Sequence, residues 1–193
     1  MKFATKGMEM PATGSKYLDL GINDNVSLFG IYSGASASKG TPFLEVEIGK
    51  SDDATNKFPF WMSDATQERS QQRIIHLLVD ALGVSRESVD NAGEKATSLD
   101  DYARKLSSLI PKGNKFRVKL TGEEYYKDGE VKVKKTINSK FFAEPMSVSP
   151  SRLKFDKTNK YDYTVAPVPN DGTTLEAPQE AMPGTGDDDQ LPF

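Results

Sequence analysis

The stretch that decides the fold is residues 115–137, KFRVKLTGEEYYKDGEVKVKKTI. Apolar residues take every second position, and we expect them to face a core: Phe116, Val118, Leu120, Val131, Val133 and Ile137. Cations take alternating positions on the opposite face: Lys115, Arg117, Lys119, Lys132 and Lys134. Because side chains of a strand alternate between its two faces, this pattern predicts two strands. Lys127-Asp128-Gly129 predicts a tight hairpin turn between them.

Upstream of this hairpin the chain reads as strands and then as helices. Strands are predicted at Tyr17–Leu20, Val26–Tyr32 and Phe43–Ile48, and Phe58–Met62 is a strand in which Pro59 marks an edge, bulge or end. Ser63-Asp64 predicts the start of a helix that ends near Leu82 and Gly83. Ser98 predicts the cap of a second helix, which Pro111 ends.

This element order predicts an oligonucleotide-binding (OB) fold, which is a five-stranded antiparallel barrel. The protein is then mainly β, with helices inserted between strands 3 and 4. About 163 residues suit one such domain, residues 1–163. Residues 140–143 and 161–165 are further candidates for short strands.

The cationic face of the hairpin is the main predicted binding surface. Residues two apart on a strand lie about 7 Å from each other, which is comparable with the charge spacing of a phosphate backbone. Residues 110–163 hold 13 Lys or Arg against 7 Asp or Glu. Like charges that face each other destabilise a sheet, so a binding role explains them. The alternative is a solvated sheet face.

Aromatic and cationic residues near this face extend the predicted site. Tyr125, Tyr126 and Lys127 lie at the hairpin turn, and Trp61 shares the parity of Lys57. Exposed rings beside cations can stack bases with little sequence preference. Lys39 lies in a small, polar loop, residues 34–41, whose spacing does not match a nucleotide-binding motif.

Catalytic and metal chemistry lack the residues they need. The chain has no Cys and one His, His76, which we expect at the surface or boundary of the first helix. Most zinc sites and a Cys-His dyad are excluded, so we predict no enzyme, no cofactor and no metal. No apolar run is long enough to span a membrane and no signal-like segment opens the chain, which predicts a cytoplasmic protein.

Residues 164–193 form a separate predicted segment. They contain five of the 11 Pro, six acids and no Lys or Arg, a composition that predicts a disordered acidic tail. The tail ends in a tip whose residues can bind a partner: Asp187, Asp188, Asp189, Leu191, Pro192 and Phe193. The ring and terminal carboxylate can enter a pocket beside an Arg, while the aspartates face a basic rim. The alternative is a solvated acidic tail.

The tip resembles the acidic C-terminal tip of bacterial single-stranded DNA-binding proteins, with Leu191 at the aliphatic position and Gln190 as a departure. The body, with its long helical insert, is more similar to divergent helix-destabilising proteins of bacteriophages. The resemblance implies an OB fold that binds single-stranded DNA (ssDNA), and a tip that recruits replication and repair proteins. It also implies a phage gene and a bacterial host cytoplasm.

We therefore expect a non-catalytic ssDNA-binding protein of DNA replication, recombination or repair. The alternative is an adaptor or inhibitor that mimics the tip to occupy host repair proteins, with an incidental basic face. The sequence leaves a homo-oligomer open, through an edge strand.

Overall fold

The computed structural model describes residues 17–167. The predicted tip and most of the predicted tail, residues 168–193, lie outside the described residues. The strands are β1 (Gly21–Ala35), β2 (Pro42–Gly49), β3 (Thr55–Trp61), β4 (Phe116–Lys127), β5 (Glu130–Thr136), β6 (Ala143–Pro145) and β7 (Tyr163–Thr164). The helices are α1 (Gln67–Ile75), continued by a π-helical segment (His76–Ala81), α2 (Arg86–Glu94) and α3 (Leu99–Ser108).

The fold is mainly antiparallel β, with the helices between β3 and β4. Five strands follow the order β3-β2-β1-β4-β5; β6 pairs antiparallel and β7 parallel with β4. Within residues 17–167 no ladder joins β3 to β5, so the sheet stays open. The order of elements along the chain, with strands first, then helices and then a hairpin, agrees with the prediction, whereas barrel closure and a count of five strands are not confirmed.

Strand β1 holds two parts of the sheet together. Its residues 21–26 pair with β4 and residues 27–35 pair with β2. The register shifts between Asn23 and Val26 and again between Leu28 and Gly30. Such irregularities bend a strand, so β1 can serve two partners that lie in different directions.

The core lies on one side of β1, β2 and β3 and is covered by the helices. The predicted inward residues Leu44, Val46 and Ile48 are all buried, and so are Phe58 and Phe60 of the facing strand. The sequence alternation of β2 and β3 is thereby confirmed.

The helical insert differs from its prediction at two points. The first helix begins at Gln67 rather than at Ser63, whose carbonyl oxygen accepts hydrogen bonds from the amides of Thr66 and Gln67. An additional helix, α2, follows Ser85, whose side chain accepts from the amide of Ser88. The Ser98 cap of α3 is confirmed, since its hydroxyl accepts from the amide of Asp101 at 3.1 Å.

His76 is buried, whereas a position at the surface or boundary of the first helix was expected. Its ring lies 5.1 Å from the Phe141 ring and 5.3 Å from the Phe142 ring, measured between centroids. Nδ1 lies 2.8 Å from Asp80 Oδ2, and Nε2 faces the amide of Ala143. His76 therefore joins the helical insert to β6.

Candidate nucleic-acid interface

Arg117 is not part of an exposed basic face, which corrects the prediction. Its guanidinium pairs with Asp24 and donates at 2.6 Å to Glu144 Oε1 and at 3.1 Å to the carbonyl oxygen of Val148. Glu144 is fully buried and also accepts from Ser151. Because its donors are used within the fold, Arg117 has a structural role.

Lys119 is also buried, at 9% exposed. Its Nζ donates at 2.8 Å to Asp162 Oδ1, and Asp162 is buried as well. The segment from β6 to β7 covers the side of β4 that was predicted to face solvent. Of the three cations predicted on the first strand of the hairpin, Lys115 alone is exposed, and its Nζ lies 3.3 Å from the carbonyl oxygen of Asn25.

The hairpin of β4 and β5 has the predicted turn. Asp128 and Gly129 both have positive φ, 55° and 78°, between the paired Lys127 and Glu130. This is the geometry of a two-residue type I′ turn, in which Gly meets no steric penalty.

The two faces of the hairpin carry different residues. On one face, Tyr125 pairs with Lys132 and Glu123 pairs with Lys134. The shared face of Tyr125, Lys132 and Lys134 agrees with the prediction, whereas the acid Glu123 on that face was not predicted. Lys132 Nζ also pairs with Glu130.

On the other hairpin face, Tyr126 is 41% exposed, and Val131 and Val133 are 50% and 44% exposed. The prediction that Val131 and Val133 point into the core is wrong, because the hairpin extends beyond the part of the sheet that the helices cover.

Three aromatic rings line the exposed face of β1, β2 and β3. Trp61 and Tyr32 are 39% and 45% exposed. Phe43 is paired with Trp61 across the strands, and their rings meet edge to face at 5.2 Å. We call Tyr32, Phe43 and Trp61 the aromatic face. Of these three rings, only Trp61 was predicted from the sequence as a binding candidate.

Two glycines of β1 bring these rings close to the backbone. A Cβ atom built on Gly34 would lie 2.5 Å from Phe43 Cζ, and one built on Gly30 would lie 2.5 Å from Tyr32 Oη. The rings thus occupy the space that side chains at positions 30 and 34 would fill. Flat rings on a sheet are suited to stacking against nucleic-acid bases.

Two acids share this side of the sheet, but both have partners. Glu45 lies 3.1 Å from Lys57 Nζ, and this hydrogen bond raises the pKa of Lys57. Glu47 accepts from the Thr55 hydroxyl at 2.7 Å. Burial, followed by a hydrogen bond to Glu47, raises the pKa of Tyr32. Lys57 also lies 5.4 Å from the centre of the Tyr32 ring, so the cation is held among the aromatic residues.

A groove of about 190 Å³ separates β3 from β5, where a closed barrel would have its last ladder. We call it the β3–β5 groove. One wall carries Lys57 and Trp61, and the other carries Lys134 and Lys135, with Glu123 as its acid. Lys135 Nζ donates to the carbonyl oxygen of Leu18, whereas Lys134 is exposed.

Arg73 reaches the same groove from α1. Its guanidinium lies 5.8 Å from the centre of the Phe60 ring and donates at 2.9 Å to the carbonyl oxygen of Asn138. Its buried Nε has no hydrogen-bond acceptor among the described residues. Burial, with Arg69 nearby, lowers the pKa of Arg73, although an Arg remains charged at neutral pH. The groove therefore combines an aromatic ring with several cations.

Lys39 lies in the loop between β1 and β2, as predicted. The loop is closed by a hydrogen bond from the Ser36 amide to the carbonyl oxygen of Thr41, and the Lys39 amide donates to the Ser36 hydroxyl. The Lys39 side chain is exposed. No contact joins it to the other predicted binding residues among the described interactions, so it stays a separate candidate.

Within residues 17–167 no helix is long and apolar enough to cross a membrane. No group of three His, Cys, Asp or Glu side chains in that range is placed to hold a metal ion.

No protein-family model matches the chain, and no curated protein matches it significantly. Among solved structures, the chain is similar to one described as "Yeast RPA bound to ssDNA". The two share 9% identity with a TM-score of 0.31, over 77% of this chain and 92% of that chain. A likeness of this extent carries no inference about fold or function.

Proposed function

We propose that this protein binds single-stranded nucleic acid, with little sequence preference and without catalysing a reaction on it. The observation that carries the proposal is the β3–β5 groove, which is lined by Trp61 of the aromatic face together with the cations Lys57, Arg73 and Lys134. A strand in this groove would place phosphates beside the cations. Its bases would stack on Trp61, Phe43 and Tyr32, a mode that every base can use.

The hairpin adds to this surface. Tyr125 and Lys132 share one of its faces, next to the cation Lys134 that lines the groove. In OB folds the loop between the last two strands commonly contacts the ligand. Tyr125, Tyr126 and Lys127 are thus proposed as flanking contacts, whereas Arg117 and Lys119 are left out because their charges are paired inside the fold.

We further propose that the protein acts in DNA replication, recombination or repair and that its acidic tip recruits partner proteins. Support for this part comes from the sequence of residues 187–193 and its resemblance to the bacterial tip. A phage origin is proposed on the same basis.

Binding of fluorescein-labelled oligo(dT) by the full chain tests the proposal, with duplex DNA of equal length as the comparison. We expect tighter binding of the single strand, and affinity that falls as salt rises because counterions are released. Absence of oligo(dT) binding at low salt, with intact binding of repair proteins through the tip, would favour the adaptor instead.

A further inference from the structure

A large hollow on the outer side of β4 contains residues that the proposed function does not use. It measures about 610 Å³ and lies between β4, residues 138–141 and residues 152–164. We call it the basic cleft, because its rim carries Lys140, Arg152, Lys154 and Lys160. Its size falls in the range of about 300–1,000 Å³ that is usual for ligand sites.

The charge of the basic cleft is not balanced within the fold. Asp162 is the one acid among its described lining residues, and it is already paired with Lys119. Arg152 lies 3.8 Å from Glu144, whose oxygens also accept from Arg117 and Ser151. Lys154 and Lys160 have no acidic partner in the described part of the chain. Like charges around one hollow repel each other, and an anionic ligand would relieve that repulsion.

Two exposed aromatic rings lie on the same rim, each beside a cation. The Arg152 guanidinium lies 5.0 Å from the centre of the Phe141 ring, which is 37% exposed. Lys160 Nζ lies 5.5 Å from the centre of the Tyr161 ring, which is 75% exposed. Rings and cations together are what a single-stranded nucleic acid needs, because it has bases as well as phosphates. A ligand that consists of phosphates alone would leave the rings unused.

The basic cleft adjoins the β3–β5 groove. Asn138 lines both hollows, and the carbonyl oxygen of Asn138 accepts the hydrogen bond from Arg73. A strand that leaves the groove past Asn138 therefore reaches Lys140 and Phe141 next. From this continuity we infer that the basic cleft binds a second segment of the same single-stranded nucleic acid. The inference rests on the proposed function. It extends the binding surface from the β3–β5 groove around the β5–β6 connection into the basic cleft.

The test compares oligo(dT) lengths from about 4 to about 16 nucleotides, the range that single OB folds cover. The full-length double variant K154A/K160A removes two exposed cleft cations. K95A/K112A is the matched control, because Lys95 and Lys112 are also exposed and lie away from the cleft, at the end of α2 and before β4. For the longest oligomer, we expect K154A/K160A to reduce the salt slope of log K by about 1.4, two phosphates' worth. The shortest oligomer should keep its wild-type quenching of Trp61 fluorescence.

A second variant, Tyr161→Ala, keeps every charge and should weaken binding of long but not short oligomers. The inference is overturned if K154A/K160A and K95A/K112A give the same salt slope at every length. It is also overturned if K154A/K160A weakens binding of a peptide of residues 168–193 and leaves all oligomers unaffected. If wild-type protein binds no oligomer at any length, the proposed function itself fails, which is a distinguishable result.

Discussion

Lys119 Nζ lies 2.8 Å from Asp162 Oδ1, and neither residue is more than 9% exposed. Asp162 Oδ2 also accepts from the amide of Asp156 at 3.0 Å, so one carboxylate fixes the turn before β7 against β4. Both residues line the basic cleft. A cation in this position supports the site without being available to a ligand.

Replacing Lys119 with Met should therefore lower the free energy of unfolding. The salt slope of oligo(dT) binding should stay as in wild type. Loss of one partner of a buried ion pair typically costs about 3–5 kcal/mol. Urea unfolding gives the stability, and the double variant K119M/D162L should recover much of it, since no charge is left buried alone. If that stable double variant shows a reduced salt slope, Lys119 contacts the ligand after all.

Lys134 should behave in the opposite way. It is exposed on the wall of the β3–β5 groove, so Lys134→Ala should leave unfolding unchanged while the salt slope for oligo(dT) falls by about 0.7, one phosphate's worth. Fluorescence anisotropy titrations at several salt concentrations measure the salt slope, with Lys95→Ala as the control. An unchanged slope would remove Lys134 from the interface.

Trp61 is a proposed stacking contact, and because the chain has one Trp it is also a fluorescence probe of binding. Saturating oligo(dT) should quench its fluorescence. Trp61→Ala should weaken binding by about 1–3 kcal/mol, the usual contribution of a stacked base, and Trp61→Phe should retain most of the affinity. Phe29→Ala is the control, because Phe29 is exposed to the same extent, 38%, in a different hollow beside Lys112. Equal effects of the Trp61→Ala and Phe29→Ala changes would argue against a specific stacking site.

Gly34→Ala tests the arrangement of the aromatic face. The new methyl group would lie 2.5 Å from Phe43 Cζ, so the ring must turn away and lose its edge contact with Trp61. We expect a shift in Trp61 emission and weaker oligo(dT) binding, with little loss of stability because the ring lies at the surface. In a Phe43→Leu background the added methyl should matter much less, which a double-mutant cycle measures. Additive effects would show that the ring and the glycine are independent.

Glu144 predicts how stability depends on acid pH. Burial alone would raise the pKa of its carboxyl, but hydrogen bonds from Ser151 and Arg117 outweigh burial and lower it below 4.5. A lowered pKa in the folded state means that the stabilisation is present above pH 4.5 and is lost as the pH falls through the folded value. Glu144→Gln should therefore flatten this acid limb, measured by urea unfolding between pH 3 and 6. If the unfolding free energy of Glu144→Gln falls with acid pH as steeply as that of wild type, other carboxylates cause the acid sensitivity.

Local patterns predicted much of the fold. The alternation of β2, the Asp128-Gly129 turn and the Ser98 cap each depend on neighbours within a few residues, and all three are present. Helix α2 was missed because it buries only Val89 and Ala92 and contains Gly93, so its sequence has a weak apolar stripe. Barrel closure depends on how β3 meets β5, which no local pattern determines.

The site was less predictable because long-range contacts decide it. Arg117 and Lys119 alternate as exposed residues do, but segments 25 or more residues later cover them with acids. Tyr32 follows the register shift between Leu28 and Gly30, so the alternation of side chains along β1 does not predict which face of the sheet Tyr32 lies on. Arg73 reaches the groove from a helix whose packing the sequence does not reveal. Trp61 was predictable because its strand alternates without interruption.

The open sheet has a consequence for solubility. Strands β3 and β5 each present an edge with no strand partner in the described part of the chain, and such edges can pair with other copies and aggregate. Lysines and proline on edge strands discourage this pairing, and here Lys57, Pro59 and Lys134 lie on the two edges. The same lysines therefore disfavour pairing of these edges with other copies of the chain when no ligand is bound. Variants with neutral residues at these positions should be examined by light scattering as well as by binding. Self-association of such a variant would lower its apparent affinity in addition to the loss of a phosphate contact.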